Sequence, residues 1–265
     1  MPRPANFTSA PRRSLPVFYV LDTSGSMTGA PIEQLNRAME ETIDAVKQVA
    51  ANNGDAQVKI AVLEFNTLAR WMQPAGPEDV EDFIWTDLKA GGLTYMGEAL
   101  RELNNKLSKD EFLASATGGL YPIIIFMTDG YANDEWEKQL DIIKQNRYFR
   151  RGIRIGFAMG EKADAEMIAR VVGDSEAVLK TLELGLFAKL MRFVSVSSVS
   201  RQSVTKQQMG DLSGASIISE LRQQGEIDDS AVDLGFSYVD PDLQGGDNSA
   251  SSEPNSNSWN IEDWQ

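Results

Sequence analysis

Four short runs are apolar almost from end to end: VFYVLD (17–22), KIAVLEF (59–65), PIIIFMTD (122–129) and RIGFAMG (154–160). A strand with one wet face alternates apolar and polar residues. A strand that does not alternate must bury both faces, and a parallel sheet with helices on either side does this. The intervening segments supply the helices. After Pro31, which suits a first helical turn, Ile32, Leu35, Met39, Ile43, Val46 and the Val49/Ala50 pair recur at helical spacing. Met96, Ala99/Leu100, Leu103 and Leu107 mark a second helix, and Trp136, Leu140 and Ile143 a third. Met167/Ile168 with Val171/Val172 mark a short one, and Leu184, Phe187, Leu190/Met191 and Val194 the last. LARWMQ (68–73) reads as a hairpin partner of the second strand, turned at Asn66 and Thr67. The expectation is an α/β fold: a mostly parallel sheet with one antiparallel edge strand, covered on both faces.

Three regions are expected. Residues 1–13 form an N-terminal arm, 14–197 the folded domain and 198–265 an acidic tail. Residues 1–197 hold 22 Lys/Arg and 27 Asp/Glu, net −5, whereas 198–265 hold 3 and 12, net −9. The tail begins with the hydroxyl-rich SVSSVSRQSVT (195–205), read as an exposed segment open to phosphorylation. It passes through IISELRQQ, with room for a helical turn or two, and DPDLQGGDNSASSEPNSNS, which has the composition of disorder. It closes on WNIEDWQ, where Trp259 and Trp264 suggest a short docking motif.

The net charge of −14 argues against a broad nucleic-acid surface. No apolar run approaches the length of a membrane span, and MPRPANFTSAPRRSLP lacks the apolar core of a secretory signal. A cytoplasmic location is therefore expected. Cysteine and histidine are both absent. That removes thiol nucleophiles, imidazole acid–base chemistry and Cys/His zinc sites, so a metal would have to be held by oxygen.

Oxygen donors do gather at the strand ends. DTSGSM follows the first strand and offers Asp22, Ser24 and Ser26 at alternate positions, which point the same way if the loop is extended. Asp129 follows PIIIFMT, and Thr94 sits where AGGLTYMGEAL passes from loop to helix. In an open α/β sheet, ligands sit beyond the carboxyl ends of the strands. Two carboxylates and three hydroxyls make a hard-cation site with few charges, suited to Mg²⁺ and open to Mn²⁺ or Ca²⁺. The bland alternative is loop capping, since Ser, Thr and Asp often bond nearby backbone N–H groups. Gly25, Gly91, Gly92 and Gly130 read as positions that let the loops approach.

DTSGS, GGLTYMGEAL and MTDG, in that order, resemble the metal-ion-dependent adhesion site of von Willebrand factor type A domains. The resemblance covers roughly residues 14–197 and implies a Rossmann-like, doubly wound domain with a complete site at Asp22, Ser24, Ser26, Thr94 and Asp129. It implies that Ser24, Ser26 and Thr94 touch a Mg²⁺-type ion directly, that the aspartates often act through water, and that a protein partner supplies a carboxylate. YVLDTSGSMTGAPIEQLN is most similar to the intracellular bacterial branch found with tellurium-resistance proteins. That branch implies a stress-response or defence setting with a protein kinase and a phosphatase.

The expected function is thus a non-catalytic interaction module. Tyr95 and Tyr131 are candidate partner contacts beside the metal residues, with Trp85 and Trp136 nearby; burial against helices is the plainer alternative for each. A second reading is a structural subunit whose cation only stabilises and whose tail binds partners. A third is a phosphotransfer enzyme using Asp22 as nucleophile. It is weakened because Ser24 stands where a general-acid carboxylate would be needed and no lysine is obviously placed to hold a phosphate at the sheet edge.

Overall fold

The computed structural model describes residues 12–115, 118–181, 184–203, 212–227 and 234–243. At its centre lie β1 (Arg13–Asp22) and β5 (Ile123–Thr128), paired in parallel with Leu21 opposite Met127. β2 (Ala56–Phe65) flanks β1 on the other side, and β6 (Ile153–Met159) and β7 (Val178–Thr181) continue the sheet beyond β5, all in parallel. β3 (Ala69–Trp71) turns back antiparallel on β2, as the hairpin reading requires, and the two-residue β4 (Glu78–Asp79) pairs antiparallel lower on the same strand. The order is β3-β2-β1-β5-β6-β7. The chain leaves β1 for β2 on one side and then crosses to β5 on the other. The order therefore reverses between β1 and β5, which opens a crevice at their carboxyl ends.

Strand alternation divides the core into two layers. Leu15, Val17, Tyr19 and Leu21 of β1, with Ile123, Ile125 and Met127 of β5, face α1 (Ala30–Ala51) and α6 (Leu184–Ser203). Phe18 and Val20, with Ile124 and Phe126, face α2 (Met96–Lys106), α3 (Trp136–Ile143) and α5 (Ala165–Val172). Both faces of both central strands are thus apolar contacts, which is why their sequences do not alternate.

Several features depart from the sequence reading, the two-residue β4 among them. β7, drawn from VLKT, and the five-residue α4 (Arg147–Arg151) were not legible as elements. α6 runs past residue 197, where the domain boundary was expected, and Ser195, Ser198 and Ser203 are buried on it rather than exposed. Ser203 Oγ donates to the Val199 carbonyl at 2.6 Å, which hides its hydroxyl within the helix. Beyond α6, α7 (Gly214–Gln223) buries Ile217, Ile218 and Leu221 in the α1/α6 layer. Its start is fixed by a reciprocal cap in which Ser213 Oγ accepts from Ser216 N and Ser216 Oγ accepts from Ser213 N. Residues 234–243 clasp the turn between α5 and β7: Asp240 N donates to Gly173 O, Ser175 N to Tyr238 O, and the Asp240 carboxylate pairs with Lys144. Among the described residues no helix is long and apolar enough to cross a membrane.

Candidate metal centre

Asp22 ends β1 and is fully buried. Its Oδ1 accepts from Ser24 N at 2.7 Å and its Oδ2 from Thr128 Oγ1 at 2.5 Å. Thr128 Oγ1 in turn accepts from Gly130 N at 3.2 Å, so one buried hydroxyl ties the end of β1 to the loop after β5. Ser24 is extended (φ −65°, ψ 173°), but Gly25–Met27 then close into a tight helical turn. The donors therefore converge by a turn, not by the simple zigzag expected from alternate positions. Ser24 Oγ lies 3.0 Å from Ser26 Oγ, and Ser26 Oγ donates to Asp129 Oδ1 at 2.7 Å. Since Ser26 spends its proton on Asp129, Ser24 is the donor in the first of these contacts.

Thr94 comes from the third loop. Its backbone is bracketed by Asn133, whose side-chain oxygen accepts from Thr94 N at 2.9 Å and whose N donates to Thr94 O at 2.7 Å. Asp134 Oδ2 accepts from Glu98 N at 3.2 Å and so caps α2, the helix that Thr94 introduces. A methyl placed on Gly130 would stand 3.7 Å from Ser26 Oγ and 3.9 Å from Thr94 Oγ1, so these two hydroxyls flank the same spot. The loops are also stitched backbone to backbone, Gly25 N to Gly92 O at 2.9 Å and Gly91 N to Thr23 O at 2.8 Å. Of the four loop glycines, Gly92 alone has a positive φ, +81°, and a Cβ there would lie 2.6 Å from Thr67 Oγ1.

Electrostatics favour a cation. Burial pushes the Asp22 carboxyl up to about 6, even though Thr128 and Ser24 bond its charged form, and repulsion from Asp129 adds to the rise. Burial raises Asp129 as well, against its bond from Ser26. Neither carboxylate has an ion-pair partner among the described residues. No group of three or more acidic side chains capable of holding a metal occurs among the described residues, so an ion here would rely on hydroxyls beside two carboxylates. That donor set fits a hard divalent cation: all five donors are oxygen, and Asp22 already has both oxygens engaged by protein hydrogen bonds.

The site opens into a cavity of about 700 Å³. Ser24, Ser26, Thr94 and Asp129 line it, with Pro31, Leu93, Tyr131, Met159, Glu161 and Lys162. Tyr131 is 63% exposed there, in keeping with a contact role. Tyr95 does not line the cavity; it is half-buried and its N donates to Asn66 O. Trp136 is buried under the Arg170 guanidinium, and Trp85 packs partly buried against the α1 layer, so the plainer reading holds for both. Trp259 and Trp264 lie outside the described residues. Thr128, Asn133 and Asp134 escaped the sequence reading because their roles depend on contacts between loops. Lys162 also escaped it; it lines the cavity, so a lysine does stand at this edge.

The family model for the von Willebrand factor type A domain matches residues 17–182. The chain belongs to the von Willebrand factor type A family. Solved structures share the type A fold at low identity. Proximal thread matrix protein 1 from the mussel byssus, with a zinc-occupied MIDAS motif, is 16% identical over 71% of this chain and 48% of that one, with a TM-score of 0.52. A von Willebrand factor type A protein from Catenulispora acidiphila is 15% identical over 70% of this chain and 42% of that one, TM-score 0.52. The pilus adhesin SpaC from Lactobacillus rhamnosus GG, in its open conformation, is 10% identical over 69% and 30%, TM-score 0.53. This type A chain thus spans less than half the length of each of these proteins. No curated protein matches it. Type A domains commonly mediate metal-dependent protein–protein interaction.

Proposed function

We propose that this type A domain is a non-catalytic module that binds a protein partner through a divalent cation of the Mg²⁺ type, Mn²⁺ or Ca²⁺ being the alternatives. Ser24, Ser26 and Thr94 would hold the ion directly, and Asp22 and Asp129 would supply the charge around it. When bound, the ion offers a positive centre to an anionic oxygen, and a partner Asp or Glu is the natural source. The chain's own residues do the positioning. Thr128 fixes Asp22, Asn133 brackets Thr94, and Ser26 joins the β1 loop to Asp129. The observation that carries the reading is the Ser24–Ser26–Asp129 hydrogen-bond chain at the sheet's switch point, facing Thr94, above a desolvated Asp22. The zinc-occupied motif of the mussel protein and the adhesin role of SpaC support it.

The absence of catalysis is part of this reading. Lys162 reaches the cavity, but the position two residues after Asp22 is Ser24, which is no general acid. The resemblance of the β1 loop to the tellurium-resistance branch suggests a bacterial stress-response or defence system with a kinase and a phosphatase.

Calorimetric titration with Mg²⁺ and Mn²⁺, followed by capture of partners from native lysate in Mg²⁺ and in EDTA, tests the proposal. Wild type should bind the ion, whereas Ser26→Ala and Asp129→Ala should lose it, and a partner should be retained by wild type in Mg²⁺ alone. A partner held equally in EDTA and by Asp22→Ala would move the function away from this face.

A further inference from the structure

We infer that the partner of this face presents a single carboxylate set between apolar side chains, not a run of acidic residues. The inference rests on the metal-dependent reading above and specifies its partner. Seven large apolar side chains are open to solvent among the described residues: Ile84, Ile142, Phe236 and Val239 lie elsewhere, whereas Leu68 (70% exposed), Leu93 (49%) and Tyr131 (63%) belong to loops at the carboxyl edge of the sheet. Leu93 immediately precedes Thr94, and Tyr131 follows Asp129 by two residues, so the residues that shape the ion site also project an apolar rim around it. Leu93 and Tyr131, with Pro31 and Met159, line the same cavity as Ser24, Ser26, Thr94 and Asp129. An apolar rim around a charged centre is what a docking surface needs to exclude water from the central contact.

The rim is also prepaid in order. Leu93 N is held by Thr67 Oγ1 at 3.0 Å and Tyr95 N by Asn66 O at 2.9 Å, so the backbone around Leu93 is fixed before any partner arrives. Charge on the rim points the same way. Glu161 and Lys162 line the cavity side by side, carry opposite signs, and make no ion pair among the described residues. Asp22 and Asp129 together offset one divalent ion. The face therefore has no surplus of positive charge to reward a second or third acid, whereas its apolar rim rewards a hydrophobic neighbour.

The experiment uses the full chain and four fluorescein-labelled peptides with Gly-Ser flanks and central Leu-Glu-Leu, Ser-Glu-Ser, Glu-Glu-Glu or Leu-Gln-Leu, read by anisotropy in Mg²⁺ and in EDTA. In Mg²⁺, Leu-Glu-Leu should bind about tenfold more tightly than the other three. Tyr131→Ser, and separately Leu93→Ser, should shrink that preference, with Mg²⁺ affinity measured by calorimetry on the same proteins. Mg²⁺-dependent binding in which Ser-Glu-Ser or Glu-Glu-Glu matches Leu-Glu-Leu overturns this inference and leaves the metal reading standing. Equal binding of Leu-Glu-Leu and Leu-Gln-Leu, unchanged by EDTA, overturns both. No binding of any peptide up to about 1 mM, by a protein that takes up Mg²⁺, overturns the inference alone.

Discussion

Thr128→Val removes one buried oxygen and almost no volume. Thr128 is fully buried, donates to Asp22 Oδ2 and accepts from Gly130 N, so the change deletes two hydrogen bonds at once. A hydrogen bond to a charged group contributes about 1.5–3 kcal/mol. Gly130 is only partly buried, so water compensates much of its lost partner. The net destabilisation should be about 2–3 kcal/mol. For a chain of this size each kcal/mol moves Tm by about 2–4 °C, so the metal-free variant should melt about 4–12 °C below wild type. The same hydroxyl orients a carboxylate of the candidate ion site, and losing such a partner typically weakens metal affinity about 10–100-fold. Thermal unfolding in EDTA followed by circular dichroism measures the first effect, and calorimetric titration with Mn²⁺ the second. Thr128→Ser, which keeps the hydroxyl, should recover most of both. A variant that melts with wild type and binds Mn²⁺ equally would refute the claim that Thr128 holds Asp22 in place.

The remaining predictions concern the supporting frame. Gly92→Ala places a Cβ at positive φ and against Thr67 Oγ1, so it should cost about 1–3 kcal/mol in denaturant unfolding and weaken metal uptake by disturbing the Thr94 loop. Ile218→Ala should cost about 2–5 kcal/mol, as a core substitution does, because α7 belongs to the α1/α6 layer; a surface-like loss under 0.5 kcal/mol would show that α7 is not part of the cooperative fold. Burial alone would raise the Asp240 carboxyl, but Lys144, Asp242 N and the Tyr238 hydroxyl outweigh it and hold it below its ordinary value. A depressed carboxyl stabilises the fold above its unfolded-state pKa, and that gain disappears as pH falls through the folded value. The stability gap between wild type and Asp240→Asn should therefore be full near neutral pH and close under acid, and urea unfolding across that range should show it.

Much of the architecture was present in local pattern. VFYVL and PIIIF do not alternate because β1 and β5 have no wet face, and that property is written in each run without knowledge of its neighbours. Asp22, Ser24, Ser26, Thr94 and Asp129 were recognisable because their motifs fall at strand ends and a helix start, in a fixed order along the chain. What a sequence cannot display is which loops meet. Thr128 looks like an ordinary strand-end residue, and Asn133 and Asp134 like ordinary loop residues, until the sheet order reverses between β1 and β5 and sets the β1, α2 and β5 loops against one another.

The tail shows the same division from the other side. SVSSVSRQS has the composition of an exposed linker, and its composition is all that sequence offers. Ser195, Ser198 and Ser203 became buried because α6 packs one face along α1, where serine is small enough to fit, and where a hydroxyl such as that of Ser203 can bond its own helix, while Ser200 stays exposed. IISELRQQ hinted at a helix, but only the packing of Ile217, Ile218 and Leu221 beneath α6 made it core. The sequence by itself determined the doubly buried strands and the oxygen donors at their ends, because both follow from local periodicity and residue chemistry. The tertiary structure decided that the donors converge, that Leu93 and Tyr131 stand beside them, and that one face of the serine-rich segment is buried. Each of these is a relation between residues far apart in the chain, fixed only when the sheet forms.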